Sequence, residues 1–244
     1  MDELPSDTSR RADTCAVVFA LCYPTLLTYV YFTALAQAPT VVQHAAFGSL
    51  KLIQFAFPLL WHVKFQQRRL ELHRPTGLGM LVGIAFGALV VAAMCLLYKH
   101  WLLPAGWMHD AKEPIQQKIA GFGVNRLPAY MALGLFYSLF HSLLEEYYWR
   151  WFVFAQLRRL VSVPAAVVIS SLGFTAHHVL LLGTFFGWSS PLTWLFSLAV
   201  GIGGAVWAVL YQRSGSIYPV WLSHLLVDAG IFWIGYDLVG RTFV

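Results

Sequence analysis

Charge is what this chain has least of. Only 11% of its 244 residues are charged, and 11 residues are acidic; a soluble globular chain carries roughly 25% charged residues. With 59% hydrophobic residues and a mean hydropathy of +0.64, the composition excludes an ordinary soluble domain. Cysteine is also scarce. Cys15, Cys22 and Cys95 have no metal-like spacing and no Cys-x-x-Cys pair, which excludes a zinc ribbon or a thiol redox centre and leaves them as small packing residues. There is no Gly-rich phosphate loop, no His-Glu-x-x-His zinc-protease signature, no internal repeat and no low-complexity segment. The net charge of +5 does not indicate nucleic acid, because the basic residues are scattered through short loops beside apolar runs, as membrane topology requires.

What the chain does have is apolar runs long enough to cross a bilayer, about 20 residues each, along its whole length. These predict an all-α fold, a polytopic transmembrane helical bundle forming a single membrane domain over 1–244, with a polar N-terminal tail at 1–14. The expected spans are 15–36, 47–66, 76–98, 128–157, 163–183, 191–211 and 216–236, seven in all, or eight if the long fourth is two elements. Between the third and fourth, "EPIQQKIAGF" places Ile115, Ile119 and Phe122 at helical spacing, which suits a short helix at the membrane surface. Alternating the loops puts Arg10, Arg11, Lys64, Arg68, Arg69, Arg74, Arg158, Arg159 and Arg213 on one side and Lys99, Lys112, Lys118, Arg126 and Arg241 on the other. The excess predicts a cytoplasmic N-terminus, and the short loops suggest a prokaryotic plasma membrane.

Against this background stand ionisable residues at membrane depth. Glu145, Glu146 and Asp228, with Arg150, His141, His177, His178 and His224, lie inside spans, and His62 lies near the end of one. Each costs a few kcal/mol at the bilayer centre unless it is paired or faces water. Counting inward at 1.5 Å per residue places Glu145 and Asp228 at roughly 18 Å, His178 at roughly 22 Å and His224 at roughly 12 Å, so three helices bring polar groups to similar depth. Glu146 and Arg150 are four apart and share a helix face, where they can form a buried ion pair; Glu145, turned about 100° away, is then available as a base. His224 and Asp228 are also four apart. Of the adjacent pair His177 and His178, one is a packing residue, and geometry does not say which. His141 and His62 read as buried histidines bonded to carbonyls, His141 also being placed to look toward the cavity. Tyr147, Tyr148, Trp149 and Trp151 read as bundle aromatics. Gly201, Gly203 and Gly204 suit close helix packing.

The motifs "EEYYWR" (Glu145 to Arg150), "FTAHH" (Phe174 to His178) and "HLLVD" (His224 to Asp228), in that order across 128–240, resemble the CAAX protease and bacteriocin-processing family of intramembrane endopeptidases, which includes the type II CAAX prenyl endopeptidases. That family is marked by Glu-Glu-x-x-x-Arg, Phe-x-x-x-His and His-x-x-x-Asn/Asp. The resemblance selects His178 over His177. It implies a peptidase in which Glu145 and His178 activate a water, with His224 and Asp228 on the oxyanion side and Glu146, Arg150 and Phe174 in support. Asn is the commoner residue at the Asp228 position; the aspartate here carries a proton, orients His224 or takes a metal ion. A glutamate-type mechanism without a cofactor is favoured. The alternative is a metal-dependent protease with a divalent ion such as zinc on Glu145, Glu146, His178, His224 and Asp228. The expected partners are a peptide or protein substrate entering from the membrane and the lipid bilayer itself. A rhomboid-like serine protease fits poorly, because "RSGSIYP" lies at a span entrance, and so does a presenilin-like protease, because Asp228 is the one clearly deep aspartate. A non-catalytic scaffold or immunity protein, or a proton-coupled transporter, are the readings from other classes; the missing repeat argues against the transporter.

Overall fold

The computed structural model describes residues 7–70, 73–240 and 243. The first six residues of the polar tail and Arg241 lie outside the described residues. Those described form eight helices and no strand. Seven are long and apolar enough to span: α1 (Arg10–Ala34, with a helical lead-in from Asp7), α2 (Thr40–Phe65), α3 (Gly77–Leu102), α5 (Leu127–Leu160), α6 (Val163–Phe186), α7 (Pro191–Ser214) and α8 (Ile217–Val239). The short helix α4 (His109–Gly121) fills the segment between α3 and α5. Helices are forced on such a chain, since every backbone N–H and C=O in hydrocarbon must find its partner within its own segment. The protein is an integral, multi-pass membrane protein.

All seven spanning helices reach past their expected bounds at one end or both, three of them for a visible reason. α2 begins at Thr40, inside the expected loop 37–46. There Gln43 turns back and donates Nε2 to the carbonyls of Ala36 (3.3 Å) and Ala38 (2.9 Å), satisfying the preceding turn. α3 and α8 run on to Leu102 and Val239 because their polar ends satisfy each other. Tyr98 Oη and Lys99 Nζ both donate to Asp237, each at 2.9 Å.

The chain divides into two compact units. One comprises Met1–Leu72 and Tyr147–Val209, and the other His73–Glu146 and Leu210–Val244. In the first, α1 packs on α6 and on the C-terminal half of α5. Asp13, on the opening turn of α1, accepts from Gln66 Nε2 (2.7 Å) and Trp61 Nε1 (3.2 Å) and lies 3.6 Å from Arg159 Nη1. Within the stretch expected to be a polar tail, Asp13 is therefore a buried anchor, while Arg10, Arg11 and Thr14 are exposed. In the second unit α3 lies against α8. Their approach is close because Gly83 and Gly87 have no side chain. A Cβ on Gly83 would overlap the carbonyl of Pro219, and one on Gly87 would stand 2.8 Å from Ser223 O. The connector into α8 turns at Gly215, whose φ of 64° is the left-handed conformation glycine adopts without a Cβ penalty, and Ser216 Oγ donates to His73 O at 2.9 Å.

Candidate active site

The Glu-Glu pair sits in an irregular part of α5. Ser142–Glu146 is α-helical, but it is flanked by π-helical stretches at Tyr137–His141 and Tyr147–Phe154. Such widened turns re-aim side chains and recur at functional sites. Within the second unit, α8 is pinned to this part of α5: Trp221 Nε1 donates to Leu139 O (2.9 Å) and Tyr130 Oη to Phe232 O (2.9 Å). These bonds fix α8 against α5 over the turns that carry the ionisable groups.

The result is a buried cluster around His224. Glu145 is 5% exposed, Glu146 0% and His224 4%. His224 Nδ1 donates to Glu146 Oε1 at 2.7 Å, short enough for a charge-assisted bond. That bond orients the ring and turns Nε2 toward Glu145 Oε2 at 3.7 Å and Asp228 Oδ1 at 3.5 Å. Both separations exceed a direct hydrogen bond and fall within charge-pair range. His141 Nε2 stands 4.0 Å from the other oxygen of Glu145, Oε1. One imidazole thus faces three carboxylates, and Glu145 faces an imidazole from each oxygen. Spacing within a helix gave the His224–Asp228 and His141–Glu145 neighbours. It could not give the bond between Glu146 and His224, whose partners are 78 residues apart; agreement in depth was the available signal.

The first unit carries the remaining motif residues. Arg150, 2% exposed, donates Nη2 to Gly204 O (3.2 Å) and lays its guanidinium over the rings of Phe174 (4.7 Å) and Trp207 (5.2 Å). Cation–π contacts of this kind stabilise a desolvated guanidinium. A Cβ on Gly204 would stand 3.2 Å from Phe174 Cδ1, so the glycine makes room for this stack. Trp207 was not foreseen as part of it. Phe174 does double duty, because its carbonyl also accepts from His178 Nδ1 at 2.8 Å. With the proton on Nδ1, neutral His178 keeps its lone pair on Nε2. Its neighbour His177 is a packing residue, its ring parallel to Trp149 (3° between planes, centroids 5.7 Å). The bundle aromatics behave as expected: Tyr148 Oη donates to Ala20 O (2.7 Å) and Tyr147 Oη to Phe55 O (3.2 Å). His62 bonds the carbonyl of Arg69 (3.0 Å).

Among the described residues no three His, Cys, Asp or Glu side chains are placed to hold a metal ion.

Chemically, the second unit presents a carboxylate beside an imidazole whose ring is held by a second carboxylate, and the first presents an imidazole held through Nδ1. These are the groups that peptide hydrolysis by an activated water requires. Comparison with known proteins points the same way. Neither the curated proteins nor the solved structures gave a match, but a model of the type II CAAX prenyl endopeptidase Rce1-like family matches residues 127–230, the region that holds all three motifs. Through that region the chain is similar to the type II CAAX prenyl endopeptidases, a family of peptidases.

Proposed function

We propose that the protein hydrolyses a peptide bond of a membrane-delivered substrate by a glutamate-type mechanism. Glu145 takes a proton from a water whose oxygen attacks the scissile carbonyl carbon, with His178 as the second group on that water. His224, in its imidazolium form, donates Nε2–H toward the resulting oxyanion while its Nδ1–H remains on Glu146. Glu145 then passes its proton to the amide nitrogen, the oxyanion re-forms the carbonyl as the C–N bond breaks, and the carboxylic acid left behind gives its proton to the departing amine. Asp228, 3.5 Å from Nε2, orients His224 rather than touching the oxyanion, which an ionised carboxylate would repel. No step passes through a metal ion.

The observation that carries this reading is the fixed ring of His224, held by Glu146 at 2.7 Å and turned to Glu145. Preorganised donors of this sort stabilise developing charge without reorganisation. The family description makes a prenylated C-terminal CAAX peptide the first substrate to test, with bacteriocin leaders and other peptides next. The positive-charge distribution supports a cytoplasmic N-terminus, and the short loops a prokaryotic plasma membrane. The test is incubation of purified, reconstituted protein with a prenylated CAAX peptide and with an unprenylated peptide library, the products read by mass spectrometry. Cleavage of the prenylated peptide alone supports the CAAX reading, and cleavage within the library a broader one. Proton or solute flux without cleavage from either would replace the peptidase with a transporter.

A further inference from the structure

We infer that His141, which lies outside the three motifs, is a positioning residue for Glu145, an assignment that rests on the role proposed above for that carboxylate. His141 closes the π-helical stretch Tyr137–His141 and Glu145 lies in the α-helical segment that follows. Four residues apart, they fall on one side of α5. Nε2 of His141 stands 4.0 Å from Glu145 Oε1, while Nε2 of His224 stands 3.7 Å from Oε2. The carboxylate is therefore bracketed, one imidazole to each oxygen.

Packing alone does not account for this. The His141 ring lies on Tyr137 (centroids 4.7 Å, 37° between planes), a contact any flat apolar side chain could make, yet its distal nitrogen is directed at the carboxylate. Its backbone is held too, since Leu139 O, two residues earlier, accepts the Trp221 indole N–H. The His141 side chain is 16% exposed against 6% for Glu145, so it is the more open partner of the two.

A base that must meet a water in one direction has to be kept from rotating about its last torsion, which is broad for glutamate. His224, at 3.7 Å, constrains one oxygen, and His141, at 4.0 Å, the other. Removing it leaves substrate binding intact and lowers the fraction of Glu145 aimed at the water, so the loss falls on kcat.

The test is steady-state peptide cleavage by reconstituted wild type, His141→Ala, His141→Gln and Glu145→Gln. His141→Ala is expected to lower kcat about tenfold, the scale of one lost interaction with a charged group, with KM within about twofold. His141→Gln, whose amide N–H can reach toward Oε1, should recover at least about a third of the wild-type kcat. A wild-type kcat in His141→Ala, a rise in KM alone, or a His141→Gln no better than alanine overturns the assignment. If the alanine variant fails to accumulate, His141→Gln against the similarly sized His141→Leu decides it: equal kcat values overturn the assignment, and a lower value for leucine supports it. Glu145→Gln separates the two levels of the argument, because activity in that variant overturns the role of Glu145 itself, whatever His141 does.

Discussion

Glu145 and Glu146 are neighbours in sequence with the same side chain, yet their surroundings divide them. Glu146 is fully buried and bonded to His224 Nδ1 at 2.7 Å; Glu145 meets His141 and His224 at charge-pair distance. The first holds a ring; the second is the carboxylate proposed above to exchange a proton. Asp228 extends the same logic. It stands where the family more often has Asn, and its Oδ1 lies 3.5 Å from His224 Nε2. If its task is to orient that ring, an uncharged amide of the same shape does the same. Asp228→Asn should keep kcat/KM within about tenfold of wild type, while Asp228→Leu, which leaves the buried polar partner unsatisfied, should lose about a hundredfold. Steady-state peptide cleavage checks both, and an inactive Asp228→Asn would mean that the carboxyl itself carries a proton or a ligand. Much at this scale was legible in the sequence, because i, i+4 spacing within a helix is a geometric fact. The Glu146–His224 bond was not, because nothing local records which side chains of distant segments will meet.

At the scale of the helix, the site depends on how α8 is held. Gly87 lets α3 approach α8 one residue before His224, and a Cβ there would stand 2.8 Å from Ser223 O and 3.0 Å from Leu226 Cδ1. Gly87→Ala should therefore destabilise the protein by about 1–3 kcal/mol, the range for overpacking, and displace His224 enough to lower activity. Gly203→Ala on α7 is the matched control: a Cβ there meets nothing within 4 Å, and alanine is the better helix former. Thermal unfolding in detergent compares the two, and equal midpoints would remove the close approach from the account. Hydropathy located all seven spans, but it misplaced ends wherever polar residues continue a helix. Thr40 to His44 read as loop because Gln43 is polar, yet Gln43 is the residue that satisfies the turn before the helix. Lys99 read as loop for the same reason, although Asp237 receives its ammonium. The π-helical stretches around the Glu-Glu pair leave no mark in the sequence, since no glycine or proline falls between Phe136 and Phe154.

Across the whole molecule, the scarcity of charge is what makes the site readable. In a chain with 11 acidic residues, two adjacent carboxylates inside an apolar run must be held by partners, and the structure supplies an imidazole for each. The three motifs are shared between two compact units: Glu145, Glu146, His224 and Asp228 belong to one, and Arg150, Phe174 and His178 to the other. Motif order carried the family resemblance without revealing this division, because spacing along a chain carries no information about which segments pack together. The proposed mechanism has Glu145 and His178 activate water without a metal ion. It is tested most directly by peptide cleavage with reconstituted wild type, Glu145→Gln and His178→Ala, each with and without a strong chelator. The account predicts cleavage by wild type that survives the chelator, and losses of at least about a hundredfold in both variants, the scale of general-base catalysis. Activity abolished by the chelator and restored by zinc, or retained by Glu145→Gln, would contradict it.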